Sequence, residues 1–221
     1  MNFSTEWENI YQLNHHNSVW PWTDIISLVM NFTKDLDSKS KILEIGCGAG
    51  ANVMFFESLD VKYYGIDGSQ TIVSSLKERF KDSKNEFYCC DFTKTLHFDG
   101  PFDLIIDRGG LTHNSDNNIR KALKLCFDAL KVGGKIISVD MFSDNHYGRK
   151  SGVSVEDEYT QTNIKEGSLA KTGHVHFSDE QNIRDLYNAW NINFLQHKHV
   201  KQHHPETAYD MAFWNLVATK P

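Results

Sequence analysis

The stretch ILEIGCGAGANV, Ile42 to Val53, places Gly46, Gly48 and Gly50 behind Glu44 at the end of a short apolar run. Glycine is the costliest residue to order, so a cluster of it needs a structural reason. Two readings fit: a tight turn that serves only the fold, or a loop shaped around a ligand. The flanks say where the loop sits. KILEIGC, from Lys41, is short and branched, as a buried parallel strand is, and ANVMFFESL continues as a helix.

Outward from that loop the pattern repeats. VKYYGID (Val61 to Asp67), NEFYCCDF (Asn85 to Phe92), PFDLIIDRGG (Pro101 to Gly110) and KIISVDMF read as further strands. Between them, SQTIVSSLKERFK reads as a helix with Ser69 as N-cap and Ile72, Val73, Leu76 and Phe80 on one face. A second helix is expected over Asn117 to Leu130, closed by the glycines of KVGG. Strand–helix alternation of this kind predicts an α/β fold, a parallel sheet with helices on both faces. The ends break the rhythm. Residues 1–40 read as a helical cap around VWPW, and 142–178 as a polar lid insertion after the fifth strand. A capped helix from Ser178 and two strands, FLQHKHVKQ and AFWNLVATK, close one single domain over 1–221.

The bulk numbers narrow the partners. The net charge of −6 gives no basic footprint, so nucleic acid is not expected. Cys47, Cys89, Cys90 and Cys126 form no C-x-x-C pair and read as reduced thiols. The start carries no basic segment followed by an apolar run, and no stretch is long enough for a membrane span. The expectation is a cytoplasmic protein with a small-molecule substrate; a homodimer is left open.

In a doubly wound sheet, ligands bind beyond the C-terminal strand ends, which is where the glycine loop lies. About 20 residues on, the second strand ends in Asp67, an acceptor suited to ribose hydroxyls. Gly46-x-Gly48-x-x-Ala51 also suits a nicotinamide dinucleotide. Glu44 two residues before the first glycine, Asp91-Phe92 ending the third strand and Asp107 ending the fourth favour a different cofactor. Together these residues resemble the class I S-adenosylmethionine-dependent methyltransferases. The glycine loop E/D-x-G-x-G-x-G appears as Glu44, Gly46, Gly48 and Gly50, and LKVGGKIIS spans Leu130 to Ser138. The likeness covers about Lys41 to Met141 and the final strand pair.

The resemblance implies a Rossmann-like, mostly parallel seven-stranded sheet with an antiparallel C-terminal pair, and S-adenosyl-L-methionine as cofactor. It lays the loop, Cys47 included, against the methionine part of the cofactor. Asp67 would take the ribose, with Gly68 and Ser69 close by; Asp91 and Phe92 would take the adenine. Glu44 and Asp107 would sit near the sulfonium, with Trp20 in a cover over the site. DRGGL is similar to the D-R-G-A-L stretch of the thiopurine methyltransferase branch, and the N/D-P-P-Y/F signature is missing.

Methyl transfer mainly needs a positioned nucleophile, and a base only where a proton must leave. His113, just beyond the fourth strand, is the candidate base, because its ordinary pKa lies near neutrality. Arg108, Asp140, His146, Tyr147, Arg149, Tyr159, His174 and His176 are the candidate acceptor contacts, with both alternating histidines expected on one side of a strand. The expected acceptor is the oxygen or nitrogen of a sugar or nucleotide sugar. A thiol, a protein or peptide, and a non-catalytic cofactor-binding module are the alternatives. No metal ligand set is apparent.

Overall fold

The computed structural model describes residues 5–13, 15, 18–207 and 210–221. Helices α1 (Thr5–Gln12) and α2 (Thr23–Phe32) precede an alternating run. That run is β1 (Lys41–Ile45), α3 (Val53–Ser58), β2 (Lys62–Asp67), α4 (Gln70–Arg79), β3 (Glu86–Cys89), β4 (Phe102–Arg108), α5 (Asp116–Ala129) and β5 (Leu130–Phe142). Short strands β6 (Val153–Ser154), β7 (Thr160–Thr162) and β8 (Val175–His176) follow, then α6 (Glu180–Leu186), β9 (Asn191–Val200) and β10 (Met211–Thr219).

The main sheet has seven strands in the order β3-β2-β1-β4-β5-β10-β9. β1 pairs in parallel with both β2 and β4, so the strand order reverses at β1 and a crevice opens at its C-terminal end. β10 runs antiparallel to β5 and to β9. The central strands are buried on both faces, which explains their unbroken apolar character: Ile42, Leu43 and Ile45 of β1 and Leu104, Ile105 and Ile106 of β4 are all sealed. One core lies under α5 and α6, with Ile119, Leu123, Ile136 and Leu216. The other lies under α2, α3 and α4, with Ile25, Phe56, Leu76 and Ile137.

The expected face of α4 is the buried one, and Ser69 caps it by accepting from Ile72 N–H at 3.2 Å. The end of α5 differs from expectation. Its C-cap is Leu130 in extended backbone (φ −80, ψ 147), and the KVGG glycines lie inside β5, where Gly133 takes φ +79. The helix stops because the chain has already turned into the strand.

Residues 142–178 hold a second, three-stranded sheet in the order β6-β7-β8 around Ile164, Leu169, Val175 and Phe177. That small apolar centre has no periodic signature in sequence, because its strands are two or three residues long.

Candidate functional site

A cavity of about 1170 Å³ opens at the C-terminal ends of β1, β2 and β4. Single-ligand pockets run to about 1,000 Å³, so this one has room for a cofactor and an acceptor together.

At one end lies the glycine loop. Gly46, Gly48 and Gly50 all have positive φ, at +65, +49 and +74. A side-chain carbon on Gly46 would stand 3.1 Å from Gly110 Cα, and one on Gly48 would stand 3.1 Å from the Tyr11 hydroxyl. Gly50 points the other way: its added carbon would meet Leu76 at 2.6 Å and Val53 at 3.1 Å, so this glycine serves packing. Asp67 ties the loop down, accepting from Gly48 N–H at 3.0 Å through one oxygen and from Ser69 N–H at 2.9 Å through the other. Burial pushes its carboxyl up to about 6 against those hydrogen bonds. Glu44 accepts from Tyr63 O–H at 2.6 Å and Asn52 Nδ2 at 2.8 Å, and burial raises it to about 7.

Helix α1 covers this end. Glu8 accepts from the hydroxyls of Ser69, at 2.5 Å, and of Thr71, clasping α1 to the start of α4. The clasp brings Trp7 and Tyr11 onto the cavity wall.

The post-β4 turn builds the other end. Asp107 Oδ1 accepts from Gly110 and Leu111 N–H, each at 2.9 Å, and so shapes the turn. Beyond it, His113 Nδ1 bonds the His174 carbonyl at 3.1 Å, and Thr112 Oγ1 donates to the His176 carbonyl at 2.8 Å. Trp7 meets the His113 ring edge-on at 4.7 Å, and Phe142 meets the same His113 ring edge-on at 5.9 Å. Between the two ends, Arg108 stacks on Trp22 at 3.6 Å and bonds Asp140 Oδ2 at 3.1 Å.

Of the residues singled out from sequence, Glu44, Gly46, Cys47, Gly48, Asp67, Gly68, Asp91 and Phe92 line the cavity toward the loop. Arg108, His113, Asp140, His146 and His174 line the rest. Others are not brought there. Gly50 and Ser69 face the core, and Asp107 is fully buried beneath the turn, where desolvation lifts it to about 7. Trp20 is 75 % exposed, and its neighbour Trp22 takes the place over the site. Arg149 spends one donor on the Glu158 carbonyl, and Tyr147 bonds Ser168. Tyr159 packs against the His176 ring instead of the cavity. Of the two histidines expected on one side of a strand, His176 is buried on Thr160 and Asn182, while His174 lines the cavity beside Glu156. His146 is held among Phe142, Phe177 and Phe213, and burial takes it down to about 4.

A methyltransferase-domain family model matches residues 42–134, from β1 into β5. The chain is 26% identical over 180 residues to phosphoethanolamine N-methyltransferase of Plasmodium falciparum, covering 78% of this chain and 66% of that protein. It thus spans just under two thirds of that relative's length. The match over residues 42–134 and these likenesses support a methyltransferase domain similar to the class I S-adenosylmethionine-dependent methyltransferases. Their fold recurs in a methyltransferase structure from Methanosarcina mazei, with a TM-score of 0.70 at 18% identity over 91% of this chain and 98% of that one. It recurs again in phosphoethanolamine N-methyltransferase 2 of Haemonchus contortus, determined with S-adenosyl-L-methionine. There the TM-score is 0.61 at 16% identity, over 98% of this chain and 56% of that one.

The family's cofactor is S-adenosyl-L-methionine, and the loop suits it on physical grounds. The positive-φ glycines leave backbone open to the cavity, and Asp67 and Asp91 offer carboxylates along its wall. Sequence reading singled out Trp22 with Trp20 and Pro21 as a lid, and missed Trp7, Tyr11 and Lys198, which come from α1 and from β9. It also missed Ser115, Asn118 and Lys121, on the first turns of α5. The aromatic cluster in residues 1–40 was the one signal available for any of them.

Proposed function

We propose that this protein moves a methyl group from S-adenosylmethionine to an oxygen or nitrogen of a small polar acceptor, with His113 as general base. The observation that carries the reading is the bond from His113 Nδ1 to the His174 carbonyl on the wall of the cofactor cavity. A carbonyl can only accept, so Nδ1 holds the proton and the neutral ring keeps its lone pair on Nε2. That is the tautomer a base requires.

When bound, S-adenosylmethionine supplies a methyl group made electrophilic by its sulfonium. The chain's residues bind and orient around it. Asp67 accepts from the ribose hydroxyls beside Gly68, and Asp91 accepts from the adenine amine while Phe92 N–H donates. Arg108, held flat by Trp22 and Asp140, meets the carboxylate of the methionine end. Trp7 and Tyr11 exclude water from the methyl group, and Trp7 and Phe142 fix the plane of the His113 ring. Residues 1–40 act as the cap and 142–178 as the lid that selects the acceptor.

For the acceptor itself, a sugar or nucleotide sugar is the class the sequence favours, and the hydroxyl and amide side chains on the wall support it. The likeness to a phosphoethanolamine N-methyltransferase favours a second reading, a primary amine that also bears a phosphate. Mass-spectrometric assay of methyl transfer to nucleotide sugars, phosphorylated amines, thiols and peptides tests both. Methylation of a sugar or amine, lost in His113→Ala with cofactor affinity intact, is the expected outcome. Transfer only to thiols or peptides would overturn the acceptor class. Cofactor binding with no transfer to any acceptor in the panel would point to a binding module.

A further inference from the structure

Most polar side chains on the cavity wall are already engaged: Asp67 by two amides, Arg108 by Asp140, Lys198 by Asp24. Three on one face of α5 are not. Ser115 stands at the N-cap in extended backbone (φ −71, ψ 158), yet its side chain makes no capping bond. It is 3 % exposed, and its Oγ has no partner. Asp157 Oδ2 accepts the neighbouring Asp116 amide at 2.9 Å and ties the helix start to the segment before β7. The serine hydroxyl does not perform the capping task that residue type usually performs there. Asn118 and Lys121 follow at steps of three, which keeps them on the same face, and both line the same cavity. Neither has a hydrogen bond or ion pair among the described residues.

We propose that Ser115, Asn118 and Lys121 form a subsite for an oxyanion on the acceptor, a phosphate or a carboxylate. This rests on the reading that the acceptor binds in the cavity beside His113. A buried hydroxyl, an amide and an ammonium in a row offer donors to one ligand, and a neutral polyol would leave the ammonium unused. The charges around the row agree. Asp116 is bound by Arg120 at 2.6 Å and by Asn182 at 2.9 Å. Asp157 is filled by the amides of Asp116, Tyr159 and Thr160 and by the Thr160 hydroxyl. Glu156 lies 3.6 Å from His174 Nε2. Among the described residues that line the cavity, Lys94, Arg108 and Lys198 each pair with an acid, and Lys121 is the cation that does not.

The test is an amide NMR titration of the full chain, saturated with S-adenosylhomocysteine, using inorganic phosphate and, separately, acetate. The expected result is a saturable shift confined to residues 114–121. Lys121→Met should weaken it about 10-fold and Ser115→Ala about 3- to 10-fold, from the worth of charged and neutral hydrogen bonds. Lys124→Met, which removes a surface lysine paired with Asp128, should leave it unchanged. Homocysteine-nucleoside affinity should stay within about two-fold throughout, since no cofactor contact is touched. Preference for phosphate identifies a phosphoryl group and preference for acetate a carboxylate; either supports the subsite. No saturable shift, a shift centred elsewhere, or an equal loss in Lys124→Met overturns it while the cofactor reading stands. Failure of the wild-type chain to bind S-adenosylhomocysteine would overturn both.

Discussion

The two ends of the cavity are built by different rules. The cofactor end is made of strand termini and the turns that follow them, so its residues come in short runs: 46–49, 51–52, 67–68, 91–94. The proposed acceptor end draws single residues from α2, the first turns of α5, β9, β10 and residues 142–178. A sheet edge forces neighbours in sequence to be neighbours in space, whereas the acceptor wall is assembled by packing. The first is readable as a motif and the second is not.

That contrast can be attacked from the cofactor side first. Asp67→Ala removes a carboxylate that also pins the loop amides of Gly48 and Ser69, so S-adenosylhomocysteine affinity should fall about 100-fold by calorimetry. On the acceptor side, His113→Ala should lower kcat about 100-fold or more with cofactor affinity unchanged, the signature of a lost base. If both variants lose cofactor binding alike, the two ends are not separable.

A pair of glycine substitutions sharpens the comparison within the backbone itself. Gly50→Ala combines φ +74 with a carbon 2.6 Å from Leu76, and should cost about 2 to 3 kcal/mol of stability in a denaturant melt. Gly109→Ala has φ +67 but nothing within 4 Å, and should cost about 1 kcal/mol.

The smallest expected effect is on pH. Asp67 and Glu44 have folded-state values of about 6 and about 7, above their ordinary carboxylate values. The stability they contribute to the ligand-free chain is present in acid and is lost as pH rises through 6 to 7. A ligand that needs the carboxylate of Asp67 should therefore bind a few-fold more tightly at pH 7.5 than at 5.5, with proton release. Calorimetry in buffers of different ionisation enthalpy reads this directly, and proton uptake would contradict it.

How far the sequence was legible follows the same division. Strand–helix alternation and the buried faces of α4 and α5 could be read because periodicity survives wherever an element is long. The N-cap at Ser69 and the acid at Asp67 could be read because cap and strand-end chemistry is local. Asp107 could not be told from a cofactor ligand, since a carboxylate that clamps a turn from below looks the same in a string of letters. Trp20 and Trp22 differ only in which one the extended chain leading into α2 turns inward. His174 and His176 part company because a partner for His176, Asn182, arrives from a helix six residues later.

The bonds from Thr112 and His113 end on the main-chain oxygens of His176 in β8 and of His174 just before it, not on side chains. Every amino acid supplies such an oxygen. The ring state of the imidazole is therefore written into the path of the chain, and the side chain at position 174 can be exchanged without rewriting it. Under the proposed function, that position can change with the acceptor while the proton stays where it was.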